Sequence, residues 1–233
     1  MSGLNQLKKE LQKEANPVQA KILQRFFKTG KGEYSEGTIF LGIKTPDVRE
    51  TAKRYPELDL REIQKLLSTK IFDFKQIALI ILTNKFKKVD EKEKTEIFGF
   101  YIKNAEKINS WGLVDISAYP IIGSYLLDKP RDILYQLAHS DNLWKKRIAM
   151  IATYAFIRNN QFDDTFKIAE ILLKDKHNLI HKAVGWMLRE AGKRNLELEE
   201  QFLKRYYKSM PRTMLRYAIE RFPETKRKFY LKK

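Results

Sequence analysis

Trp111 and Asp115 stand four residues apart in the segment NSWGLVDIS, which reads as an apolar helix with no obvious cation beside it in sequence. An α-helix turns once per ~3.6 residues and rises ~1.5 Å per residue, so the indole and the carboxylate share one face, roughly 6 Å apart. A carboxylate beside an electron-rich ring suits a positive charge that develops during a reaction. The helical wheel puts Ala118, Tyr119 and Ile122 on the same face. A carboxylate on so apolar a stripe is costly to bury unpaired, so Asp115 must find a partner or face a cleft. Two readings stand side by side: a buried Asp bonded to a neighbouring repeat through a residue such as Arg147, or a catalytic carboxylate facing a groove.

Arg147 lies in SDNLWKKRIAM, three residues after Trp144. Its planar guanidinium matches a phosphate through paired hydrogen bonds. Lys145 and Lys146, just before it, read as solvated charges that add attraction without fixed geometry. Trp186 sits in HKAVGWMLREAG. A tryptophan is more often core than site. Here all three tryptophans fall on the same class of helix as Asp115 and Arg147, which strengthens the functional reading.

The elements that must position these residues are helices. Apolar spacing of helical period is nearly continuous and strand patterns are almost absent. Helices are expected over 3–14, 17–28, 46–55, 59–68, 73–87, 91–107, 111–127, 131–139, 142–158, 163–174, 178–193, 196–208, 212–221 and 224–230. Thr45-Pro46 reads as a cap and first turn, Ser110 as a cap for the Trp111 helix, and Pro211 and Pro223 as starts of the last two helices. Pro120 should kink or split the Trp111 helix. Residues 29–38, TGKGEYSEGT, form the one long polar connection.

The blocks FKQIALIILTNKF, WKKRIAMIATYAF and IHKAVGWMLREAG align at Ile77, Ile148 and Val184, each followed by a small residue, with a divergent copy near Val114. The period is about 36 residues, the pattern of paired helices in solenoids of HEAT or armadillo type. The expected fold is therefore all-α: a right-handed α-α superhelix of HEAT-like repeats with a basic concave face, spanning residues 1–233 as a single domain.

Composition narrows the partner. Lys and Arg number 46 against 29 Asp and Glu, a net charge of +17. Such an excess favours a polyanion, because neutralising phosphates releases counterions. There is no cysteine, so disulfides, thiol catalysis and cysteine-held zinc drop out together. His177 and His181 share helical spacing but gain no third ligand, and with His139 they read as surface or groove residues. No apolar run reaches the ~20 residues of a membrane span. The opening MSGLNQLKKELQKEA is amphipathic and carries acids, unlike a secretory signal or transit peptide, so a cytoplasmic location is expected.

With these residues in view, the chain resembles the AlkD-type DNA glycosylases, alkylation-repair proteins built on HEAT-like repeats. The likeness runs from IFLGIKTPDVRE through NSWGLVDIS and SDNLWKKRIA to HKAVGWMLREAGKRN and MPRTMLRYAIERFP. It implies a catalytic set of Trp111, Asp115 and Arg147. It also implies DNA contacts from Trp186, Phe26, Phe27, Trp144, Lys145, Lys146 and Arg189. Two positions depart from the family pattern: Phe26 or Phe27 stands where a clamping tyrosine is expected, and Gly112 follows Trp111 where a polar residue is expected.

The resemblance implies hydrolysis of the N-glycosidic bond of purines alkylated at N3 or N7 in double-stranded DNA, without base extrusion. It implies no metal or other cofactor, no membrane, no obligate protein partner and a monomeric state. Two other readings remain: a non-catalytic binder of bent, damaged or branched DNA, and a protein-interaction scaffold. A scaffold has no need of so large a positive charge.

Overall fold

The computed structural model describes residues 3–232, and Met1, Ser2 and Lys233 fall outside the described residues. Among the described residues the chain is helical throughout. One isolated parallel bridge, Ile39 to Ile71, is its sole β-pairing. Two compact units emerge, Met1–Ser117 and Ala118–Lys233.

The first unit contains α1 (Gly3–Lys13), α2 (Pro17–Phe26), α3 (Thr45–Lys53), α4 (Leu60–Leu67), α5 (Phe72–Phe86), α6 (Glu91–Lys103), a 3-10 turn (Ala105–Lys107) and α7 (Trp111–Ser117). Helix α5 is its axis: thirteen of its fifteen residues are buried, and α1, α3, α4, α6 and α7 pack around it. A helix enclosed on all sides must satisfy its polar residues from its neighbours. Asp73 accepts hydrogen bonds from the Leu41 and Ile43 amides at 2.7 and 3.1 Å. Lys75 donates to the Lys107 carbonyl at 2.8 Å and to Asn109 at 2.7 Å. Burial pushes the Asp73 carboxyl up and the Lys75 amine down to about 8.

Asp73 thereby ties the segment 40–43 to the base of α5. That segment lies against the start of α2. Gly42 has φ +83, and a Cβ there would stand 2.3 Å from the Asn16 carbonyl oxygen. Asn16 caps α2 through Val18 and Gln19, and Pro17 takes the first helical position. The expected cap at Thr45 is not formed. Helix α3 starts at Thr45 with Lys44 before it, and the Thr45 hydroxyl accepts instead from Gln76 at 3.2 Å. The Ser110 hydroxyl likewise caps nothing; it is buried without a hydrogen-bond partner. For Thr45 the bond to Gln76 on α5 takes the place of a cap, which is ordinarily worth ~1 kcal/mol.

The second unit opens with a π-helical turn (Ala118–Gly123) holding Pro120. It continues with α8 (Asp132–Ala138), α9 (Leu143–Ala152), α10 (Tyr154–Arg158), α11 (Asp163–Ile171), α12 (Asn178–Gly192), α13 (Leu196–Tyr206), α14 (Arg212–Ala218) and α15 (Glu224–Leu231). The split expected at Pro120 takes this π form, since proline has no N–H for the regular ladder. A second break was not anticipated. The run 142–158 divides at Thr153, whose hydroxyl bonds back to the Met150 carbonyl at 2.8 Å.

Helix α12 is the axis here, packed by α9, α11, α13 and α14. His177 caps it by accepting from the Leu179 amide at 3.1 Å, and His181 meets the Asp175 carbonyl at 2.6 Å. The repeat-equivalent residues Ile77, Val114, Ile148 and Val184 are all fully buried, consistent with one structural role. Gly185 permits the α12–α14 contact, because a Cβ there would lie 2.4 Å from the Met214 carbonyl oxygen. Gly185→Ala should therefore cost several kcal/mol through overpacking and lower the melting temperature by on the order of 5–10 °C. An unchanged melting curve would show that α14 gives way freely.

Candidate active site

In the first unit a cleft of about 450 Å³ lies among α2, α3, α5 and α7. Phe27, Phe72 and Trp111 contribute aromatic walls, while Asp73, Gln76 and Asp115 bring polar atoms. Trp111 and Asp115 thus line one cleft together, as their spacing predicts. Phe27 stacks on Trp111 with ring centroids 4.6 Å apart and planes within 8°. Phe26 meets the same indole edge-on at 5.7 Å. The two phenylalanines differ sharply in exposure, 63% for Phe26 and 7% for Phe27. Phe27 is thus a buried support for the indole, and Phe26 offers a free aromatic surface.

Asp115 sits half-buried on the turn that ends at Ser117. Ser117 donates to the Leu113 carbonyl at 2.7 Å and contacts the Tyr101 hydroxyl at 2.9 Å, which locks this end of α7 to α6. Burial, reinforced by the nearby Asp115 charge, holds the Tyr101 phenol well above its ordinary range. A neutral phenol there leaves Asp115 facing no second anion from Tyr101.

In the second unit α9 is capped by Asn142, which accepts from the Trp144 and Lys145 amides at 2.9 and 3.1 Å. Arg147 is only 4% exposed and donates to the Leu179 carbonyl at 2.6 Å. That bond holds the guanidinium in a fixed position between α9 and the start of α12. Trp144 is buried, whereas Lys145 and Lys146 are half-exposed, with Lys146 paired to Asp175. On α12, the Trp186 indole N–H donates to Glu190 at 3.2 Å. Arg189 forms ion pairs with Glu190 and Glu220.

A family model for the DNA alkylation repair enzyme matches residues 7–222. The chain belongs to the DNA alkylation repair enzyme family. No curated protein matches the sequence. Among solved structures, it resembles a predicted DNA alkylation repair enzyme from Enterococcus faecalis, with TM-score 0.70 and 18% identity over 91% of this chain and 98% of that one. It also resembles AlkD2 from Streptococcus mutans, with TM-score 0.57 and 15% identity over 94% of this chain and 99% of that one. At such identities the likeness supports the all-helical fold.

The two departures from the AlkD-type pattern prove to be neighbours. A Cβ at Gly112 would lie 3.3 to 3.4 Å from the Phe27 and Phe72 rings, so a side chain there would press on the ring that supports Trp111. Glycine at 112 and a buried phenylalanine at 27 are therefore one packing solution. Sequence reasoning passed over Asp73, Lys75 and Gln76. Their signal was three polar residues crowded into the first turns of an otherwise apolar helix, FDFKQIALIILTNKF.

Proposed function

We propose that this protein is a DNA glycosylase that hydrolyses the N-glycosidic bond of cationic N3- and N7-alkylated purines in duplex DNA, acting as a monomer and without extruding the base. The observation that carries this reading is the Asp115 carboxylate beside the Trp111 indole on one wall of an aromatic cleft.

The chemistry asks little of the protein. An alkylated purine already bears a positive charge, so it leaves as a neutral base without an acid to protonate it. The C1′–N bond breaks with its electron pair passing to the purine. Positive charge then gathers on the deoxyribose ring. The Asp115 carboxylate stabilises that charge more than the ground state, which is the condition for catalysis. A water molecule adds to C1′ and gives up a proton, for which Asp115 is the acceptor. Trp111 turns an electron-rich face to the cationic sugar, and Phe27 holds the indole in place. Arg147 contributes a fixed guanidinium for a phosphate, and Lys145, Lys146 and Arg189 add positive charge. Phe26 and Trp186 give exposed or half-exposed aromatic surface for the DNA, and Trp144 is buried on α9 beside Lys145. No step calls for a metal or other cofactor.

Selectivity then comes from the charge and instability of the lesion, not from reading base edges. Purified protein should release 7-methylguanine and 3-methyladenine from methylated duplex DNA and leave uracil in place. Efficient uracil release would overturn this mechanism. Tight, salt-sensitive binding with no release would instead establish a non-catalytic DNA-binding protein.

A further inference from the structure

Tyr119, Tyr154 and Trp186 form a row of aromatic side chains in the second unit, and the two tyrosines have no part in the site proposed above. Tyr119 on the π-helical turn meets Tyr154 at the start of α10 edge-on, with centroids 5.2 Å apart and planes at 86°. Tyr154 in turn faces Trp186 on α12 at 6.3 Å, tilted by 36°. The row steps across three elements of the second unit, and all three residues are half-buried.

Its construction is specific. Gly123 closes the π turn, and a Cβ there would stand 2.1 Å from the Ala152 carbonyl oxygen and 2.8 Å from the Ala155 side chain. Only a glycine lets the turn come this close to the α9–α10 junction, and that approach brings Tyr119 onto Tyr154. At the other end, Glu190 fixes the Trp186 ring through the indole N–H. The rings are thus held in place while the tyrosine hydroxyls form no hydrogen bond with any described residue, and neither hydroxyl is a buried orphan. A phenol whose ring is anchored and whose O–H is open to solvent is a ready donor to a phosphate oxygen, a contact that positions DNA without reading its sequence.

We infer that Tyr119 and Tyr154 bind the DNA backbone, each donating its hydroxyl to a phosphate oxygen, with their rings and Trp186 forming the aromatic rail on which the sugars rest. This rests on the reading that duplex DNA is the ligand. The rail lies in the second unit and consists of neutral donors. Its contribution is therefore separable from that of the lysines.

The test is a fluorescence-anisotropy titration of a short duplex at several salt concentrations, using Tyr119→Phe, Tyr154→Phe and the double variant. Phenylalanine keeps the ring packing and removes only the hydroxyl. Each single change is expected to weaken binding about tenfold, as befits a hydrogen bond to a charged group. The slope of log K against log salt should stay as in the wild type, because a neutral donor releases no counterion. Lys145→Ala, run alongside, should flatten that slope by about one unit. Wild-type affinity in all three tyrosine variants would overturn the inference while leaving the DNA reading intact. Failure of the wild type itself to bind duplex would overturn both. If the phenylalanine variants lose affinity only by melting, seen as a lowered circular-dichroism transition, the hydroxyls are structural and the inference fails.

Discussion

Asp115→Asn is expected to reduce excision of 7-methylguanine by about 10³-fold while leaving duplex affinity within about twofold of the wild type. Asparagine keeps the shape of the side chain and removes its charge. A charge that acts mainly on the transition state appears in the rate and hardly at all in ground-state binding. The size follows from removing one electrostatic stabiliser from a preorganised site, on the order of 4 kcal/mol of activation free energy. Single-turnover kinetics on methylated duplex, paired with anisotropy, measure the two quantities separately. An unchanged rate would remove Asp115 from the chemistry. A loss of affinity or of folding equal to the loss of rate would make it a structural residue on α7. The Ser117–Tyr101 contact gives an internal check, because it should persist in the variant and hold the end of the helix in place.

The second large effect concerns stability. Glu199 on α13 is 2% exposed, and its Oε1 has no hydrogen-bond partner. Burial, aided by the neighbouring Glu200 charge and opposed by Arg189, pushes its carboxyl up to about 8 from 4.5. Gly192 makes this burial possible, since Glu199 packs into the space where a side chain at 192 would stand. A raised carboxyl pKa means the folded protein binds the proton more tightly than the unfolded chain. Stability from Glu199 is then complete below the unfolded value near 4.5 and is lost as pH rises through about 8.

Glutamine at 199 has no charge to bury. Glu199→Gln should match the wild type near pH 4.5 and melt higher by on the order of 5–10 °C at pH 9, the equivalent of several kcal/mol. Thermal melts of both proteins from pH 4.5 to 9 show the trend as a widening difference. A constant difference would mean that Glu199 carries the same charge in both states over this range.

How much of this was legible in the chain can be judged residue by residue. Helical period, the prolines at 120, 211 and 223, and the buried positions Ile77, Ile148 and Val184 are local or periodic signals, and they place the helix starts within a residue or so, whereas the expected 111–127 and 142–158 end early or divide. The Trp111–Asp115 pair was equally readable, because a four-residue spacing on a helix leaves no freedom in which face the two share. Membership of the alkylation-repair family was legible in the same blocks.

Other features depend on contacts between residues far apart in sequence. Phe26 and Phe27 are chemically identical, and only the packing of α2 against α7 decides that Phe27 supports the indole while Phe26 faces solvent. Thr45 and Ser110 have the right type and place for helix caps, but the Thr45 hydroxyl bonds Gln76 on α5 and the Ser110 hydroxyl is buried unbonded. Asp73 and Lys75 look like surface charges until their partners at 41, 43, 107 and 109 are brought to them. Gly112, Gly123 and Gly185 are each needed for a neighbour that the local sequence does not contain. The amino-acid sequence alone determined which faces are apolar, where the helices start and which carboxylate stands beside an indole, since those follow from backbone geometry and period. Tertiary structure decided which polar groups are paired and which aromatic rings stay open, because hydrogen-bond partners and close approaches are set by where distant segments meet.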